Sequence, residues 1–159
     1  MVSKSKWLRH LQTYGTTESD FLNRKAEISA KWKREASDSD VLWGLFNELT
    51  TRTSDTHQLK MIYYLMALFL DEEHRDFSVP LRESNRLNVL SLKRPGLKYV
   101  QVCAAPDSCD ACKALEGKMI LIEEALQSNP LPCIDCTRLM KHPDKGFCRC
   151  TYVPHVPDL

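Results

Sequence analysis

Apolar side chains recur at helical spacing in four stretches of the first eighty residues. Residues 5–14 place Trp7, Leu8 and Leu11 on one face, and Gly15 follows as a stop. Residues Thr17 to Asp20 form a capping start for a helix running to about Ala36, with Phe21, Leu22, Ala26, Ile28 and Trp32 apolar and Arg24, Lys25, Lys31, Lys33 and Arg34 turned to water. A third helix, capped by Asp38 or Ser39, carries Val41, Leu42, Leu45, Phe46 and Leu49. The fourth begins near Asp55, with Gln58 three residues on, and contains the unbroken apolar run 61–70. Being apolar on every side, it is expected to form the centre around which the others pack. That run is about half of what a membrane-spanning helix needs, and Asp71, Glu72 and Glu73 end it, so a soluble protein is expected. Lys4, Lys6 and Arg9 are followed by no apolar leader core, which points to a reducing, cytoplasmic (or virion- or prophage-associated) setting.

From Phe77 the pattern changes. Residues 77–80 read as a linker, and 87–92 and 97–103 as short β-type runs on either side of Arg94-Pro95-Gly96, which suits a type II turn and hence a hairpin. A helical turn at 113–116, Gly117, a strand at 118–122, another helical turn at 123–127 stopped by Asn129-Pro130, and a closing strand at 148–153 complete the reading. The expected fold is α+β: an N-terminal helical bundle lobe, residues 1–80, followed by a small zinc-stabilised β-hairpin and knuckle lobe, residues 81–159.

Charge qualifies this picture locally. The chain of 159 residues has a net charge of +1, which argues against a surface devoted to neutralising a nucleic-acid backbone. Residues 1–36 nevertheless hold eight basic and four acidic side chains, and residues 81–101 five and one. Lys31, Lys33, Arg34, Arg82, Arg86, Lys93, Arg94 and Lys98 are therefore the candidate contacts should the protein meet nucleic acid; a solvated face is the simpler account of the same charges.

All seven cysteines lie beyond residue 102, at 103, 109, 112, 133, 136, 148 and 150. An odd number crowded into one third of the chain fits metal ligation better than a disulfide framework. Cys109 to Cys112 and Cys133 to Cys136 are two CxxC pairs at nearly the spacing of zinc ribbons, and each such turn directs two thiolates towards one tetrahedral Zn²⁺. Cys148 and Cys150, two apart in an extended segment, share a face but sit too far apart to chelate one ion easily, so one of the two is expected to ligate. Cys103 ends an apolar run and reads as a packed strand residue. His142 and His155 would complete two four-coordinate sites with the six cysteines, but read more simply as solvated loop and tail residues. A redox CxxC is disfavoured because no βαβ unit surrounds either pair. No H-E-x-x-H, P-loop, dinucleotide-binding glycine pattern or deaminase signature is present, so nothing in the sequence points to an enzyme.

Cys109-x-x-Cys112-x-x-Leu115-x-Gly117-Lys118, followed by Cys148-Arg149-Cys150-Thr151-x-Val153-Pro154, resembles the C-terminal motif of phage Mu F-like head morphogenesis proteins. The resemblance covers residues 109–154. It implies a metal-binding knot closing the chain and implicates Cys109, Cys112, Cys148 and the adjoining Cys150. The chain departs from that pattern by inserting Cys133 and Cys136, with His142-Pro143 five residues too early for a match. The ligand set expected from spacing and resemblance together is Cys109, Cys112, one or both of Cys133 and Cys136, and Cys148, with Cys150 outside the coordination sphere or on a second ion. Either two of the six thiolates are spare or two ions bind. The expected function is a zinc-binding structural or interaction protein, phage-derived or associated with mobile elements, with a protein as partner. The alternative is a zinc-dependent nucleic-acid-binding protein.

Overall fold

The computed structural model describes residues 2–139 and 147–157, and the chain divides into two units, Met1–Ser54 and Asp55–Leu159. The boundary expected at residue 80 falls inside a helix. The fold is α+β, with the N-terminal region helical throughout.

The first unit consists of α1 (Lys4–Gln12), α2 (Glu18–Trp32) and α3 (Asp38–Arg52). Capping boxes start the last two. Thr17 and Asp20 exchange side-chain and backbone hydrogen bonds, and Ser37 and Asp40 do the same, so Ser37, one residue ahead of the expected Asp38 or Ser39, is the cap. Helix α2 stops at Trp32 rather than near Ala36, because Lys33 adopts a left-handed conformation and the Ala36 N–H turns back to the Ser29 hydroxyl at 2.9 Å. Trp7, Leu8 and Leu11 of α1, Phe21 of α2, and Val41, Leu42, Leu45, Phe46 and Leu49 of α3 are buried, with the Trp7 and Phe46 rings edge to face at 6.0 Å. Leu22 and Trp32 lie exposed instead, the latter beneath the Arg34 guanidinium. Gly44 lets α2 approach α3 closely: a Cβ there would stand 3.3 Å from Ile28 Cδ1.

In the second unit α4 (Thr56–Glu72) pairs with α5 (Ser78–Leu92), an extensive helix–helix contact. Asp55 caps α4 by accepting from the Gln58 N–H at 2.7 Å, as its spacing suggests. The expected strand at 87–92 is part of α5. Its buried positions include Ser84 and Asn85, which interrupt the apolar stripe; the Ser84 hydroxyl is satisfied by donating to the Lys60 carbonyl of α4 at 2.9 Å. Pro80 is not in a linker but in the first turn of α5, where its missing N–H costs no helical hydrogen bond. No β-hairpin forms around Arg94-Pro95-Gly96; the segment carries the chain from α5 into β1 (Tyr99–Cys103).

Strands β1, β2 (Met119–Leu121) and β3 (Thr151–His155) form an antiparallel sheet in the order β2-β1-β3, with Val100 opposite Ile120 on one side and Pro154 on the other. Val100, Val102, Ile120 and Tyr152 point to the buried face, which α5 and α7 (Ile122–Ser128) cover. Asn88 of α5 fixes the third strand by donating to the Thr151 hydroxyl at 3.0 Å and to the Tyr152 carbonyl at 2.9 Å. Among the described residues no helix is long and apolar enough to cross a membrane.

Candidate metal centre

Three loops bring the cysteines together. In the first, Cys109 is the N-cap of the one-turn helix α6 (Asp110–Lys113), and its carbonyl accepts from the Lys113 N–H at 2.9 Å, so Cys112 comes back beneath Cys109 one turn on. In the second, the Cys136 N–H donates to the Cys133 carbonyl at 3.0 Å, closing a tight turn just before a short 3-10 helix, Thr137–Leu139. Third is the extended segment Cys148 to Cys150, which runs directly into β3.

Six sulfurs converge there, and their residues are between 0% and 9% exposed. The Cys109 and Cys136 sulfurs are 3.8 Å apart and those of Cys112 and Cys133 are 3.5 Å apart. Tetrahedral coordination at a Zn–S bond of about 2.3 Å puts ligand sulfurs about 3.8 Å from one another, so these pairs already have the separation of thiolates on a common ion. Two groups could each hold a metal, Cys109 with Cys112 and Cys136, and Cys112 with Cys148 and Cys150; within each group all sulfurs lie within 4.8 Å of one another. Cys148 and Cys150 thus stand close enough to share an ion, contrary to the expectation that their i, i+2 spacing keeps them apart. The reason is local: regular strand begins only at Thr151, so the two side chains on one face are free to lean together.

Without metal the cluster shares its protons unequally. Hydrogen bonding from Cys148 holds the Cys136 thiol down at about 5 against the cost of burial, with help from the Arg138 backbone amide. The Cys148 thiol likewise brings Cys150 to about 6, aided by the Ala105 amide. Cys148 is pushed up as the donor to both; Cys112 and Cys133 are pushed up first by burial. The site therefore holds ready-made thiolates beside thiols whose protons a divalent cation can displace.

Asp107 ties the three loops on their outer side. Its carboxylate accepts from Arg149 at 2.5 Å and its carbonyl from Arg138 at 2.9 Å, so residues just before Cys109, just after Cys136 and between Cys148 and Cys150 meet at one point. Phe147 anchors the last loop from beneath, stacked on Phe77 at 4.8 Å and edge-on to Tyr64 at 5.6 Å. None of these anchors was legible in the cysteine spacing.

No family model matches the chain, and neither a curated protein nor a solved structure matches it.

The remaining candidates fall outside the cluster. Cys103, expected to pack, is exposed at the end of β1, because the strand alternation gives Val100 and Val102 the inner face. His155 lies in β3 opposite Tyr99 and joins no group of potential ligands, and His142 lies outside the described residues. Of the basic residues, Lys31, Lys33 and Arg34 belong to the first unit and Arg82, Arg86, Lys93, Arg94 and Lys98 to the second. Several are engaged: Arg34 faces Asp40 at 3.4 Å, Arg86 grips Glu83 through two bonds of 2.9 and 2.6 Å, and Lys93 meets Glu123 at 2.8 Å. The hairpin expected over 87–103, with Lys93, Arg94 and Lys98 on it, does not form.

Proposed function

We propose that the chain is a zinc-stabilised structural protein whose task is to present a surface to another protein. The observation that carries the reading is the convergence of six buried cysteine sulfurs, with no imidazole or carboxylate joining them among the described residues. Soft thiolates in tetrahedral array select zinc over magnesium or calcium, and a shell filled with thiolates leaves no position for an activated water, so the metal's work is structural. Such a site contributes about 10 to 16 kcal/mol of binding energy coupled to folding in small zinc modules. Here that energy would hold three loops with little apolar core of their own. The motif over residues 109–154 that resembles the end of Mu F-like head morphogenesis proteins supports the same reading, a metal knot closing a protein of assembly or interaction.

A protein partner is supported by the outer face of the sheet. Tyr99, Met119, Leu121 and Val153 share that face by register and are 37% to 51% exposed, with Gln101 of the central strand between Met119 and Val153 and His155 at the edge beside Tyr99. Nucleic acid would meet instead a set of cations partly consumed by Asp40, Glu83 and Glu123.

Elemental analysis of protein purified without added metal tests the proposal, with strong chelation followed by circular dichroism. Tightly held zinc, and loss of the sheet signal on its removal, are expected. A chain that carries less than half an equivalent of zinc and keeps its fold with all thiols free refutes it.

A further inference from the structure

Resting on that zinc reading, we infer that the six cysteines hold two ions in one cluster, with Cys112 and Cys136 each bridging both. The two potential ligand groups are not separate sites, because Cys112 belongs to both. Cys136 belongs to the first group, 3.8 Å from Cys109, and has Cys148 of the second group as a hydrogen-bonding neighbour, which makes it the second candidate for a bridge. Cys133 lies 3.5 Å from the shared Cys112, and its other cysteine neighbours are Cys109 and Cys136 of the first group.

Coordination number then fixes the arrangement. Two tetrahedral ions offer eight positions and the described residues of the cluster supply six sulfurs, so these fill both ions when two sulfurs each serve twice. A thiolate has lone pairs enough to bond two cations, and only the sulfurs that face both groups can do so. Cys109 and Cys133 complete the first ion and Cys148 and Cys150 the second. A single ion held by the two CxxC pairs would leave Cys148 and Cys150 as buried thiols, 2% and 3% exposed, pressed against a filled metal site with nothing to do. Charge also favours the pair. Six thiolates with two dications carry a net charge of −2, against −4 with one dication.

The test is the metal stoichiometry of the full chain, read with the ¹¹³Cd NMR spectrum of the cadmium-exchanged protein. Two zinc ions per chain and two cadmium resonances split by mutual scalar coupling are expected, since only a shared sulfur connects the two nuclei. Cys150→Ser should lower the count from two to one while the remaining resonance loses its splitting. One ion in the wild-type chain, with the count unchanged in Cys150→Ser, overturns the two-ion cluster and leaves the zinc reading standing. Two ions without coupling overturn the bridging. Absence of zinc, or iron in its place, defeats both readings together.

Discussion

The backbone N–H of Leu131 donates to the hydroxyl of Tyr152 across 3.0 Å, and both residues are buried. This one bond joins the segment leading into Cys133 to the strand leaving Cys150, so it holds two of the three cysteine loops in register with each other. Tyr152→Phe keeps the ring and strands the Leu131 amide, a loss of about 1–3 kcal/mol for a buried donor. The expected result is a denaturation midpoint lowered to match and zinc that a chelator removes faster. An unchanged chelation rate would separate the bond from the metal site.

Replacing cysteines should separate the helix pair of the second unit from its loops and sheet. Cys109→Ser or Cys112→Ser is expected to lower the metal content and disorder the loops and sheet, while most far-UV helical signal persists, because α4 and α5 are held by their own contact. Cys103→Ser should retain full zinc content, since that thiol is exposed and outside the cluster. Hydrogen exchange resolved by segment reads both: protection lost around residues 99–157 in the first two variants and retained in the third.

Acid should weaken the first unit through its caps. Hydrogen bonds from the Thr17 backbone and hydroxyl hold the Asp20 carboxyl below its ordinary range; at Asp40 burial opposes the shift, but the Ser37 hydroxyl and backbone, with Arg34, outweigh it. A carboxyl with a lowered folded-state pKa stabilises fully above its unfolded value of about 3.9, and that contribution fades as pH falls through the folded value. The double variant Asp20→Asn, Asp40→Asn is therefore expected to be less stable than wild type at pH 7 and to approach it at pH 2. Urea midpoints across that range check it, and zinc release at low pH, common to both chains, cancels in the difference.

Much of this was readable beforehand, for identifiable reasons. Thr17 with Asp20 and Asp55 with Gln58 are local capping signals that need no tertiary context, and the stripe from Val41 to Leu49 fixes α3 by period alone. Helix α5 was not readable, because Ser84 and Asn85 occupy buried positions and the alternation from Leu87 to Leu92 imitates a strand. Only its packing on α4 and the reach of Asn88 to β3 decide for helix. At the candidate metal centre the two CxxC turns were legible from spacing, and the fold brings their sulfurs together. The closeness of Cys148 and Cys150 was not, since it depends on regular strand starting one residue later.

The exposed sheet face makes a separate prediction. Met119→Lys with Leu121→Lys changes two side chains that already face solvent, so stability should move by no more than about 0.5 kcal/mol for each. Binding of an apolar dye to the folded chain should fall, and any self-association with it. A large loss of stability would mean that this face is covered rather than presented. If the chain copurifies with nucleic acid in a salt-sensitive manner, and the double variant leaves that unchanged, the cations and not this face mark the partner.

Phe147 offers the sharpest probe of how the fold supports the metal. It precedes Cys148, and its ring lies on Phe77 at 4.8 Å and against Tyr64 at 5.6 Å, so it connects the last cysteine segment to residues of α4 and the start of α5. Phe147→Ala removes both ring contacts, each worth about 0.5–1.5 kcal/mol beyond the area buried, and frees the segment at its root. The two CxxC turns keep their own hydrogen bonds and their ties to α6 and the 3-10 helix. The expected phenotype is therefore selective, with the metal bound by Cys148 and Cys150 lost first and that bound by Cys109 and Cys133 retained. Stepwise chelation monitored by zinc content resolves the two. Uniform weakening of all bound metal would show that the ring supports the centre as a whole rather than its last loop.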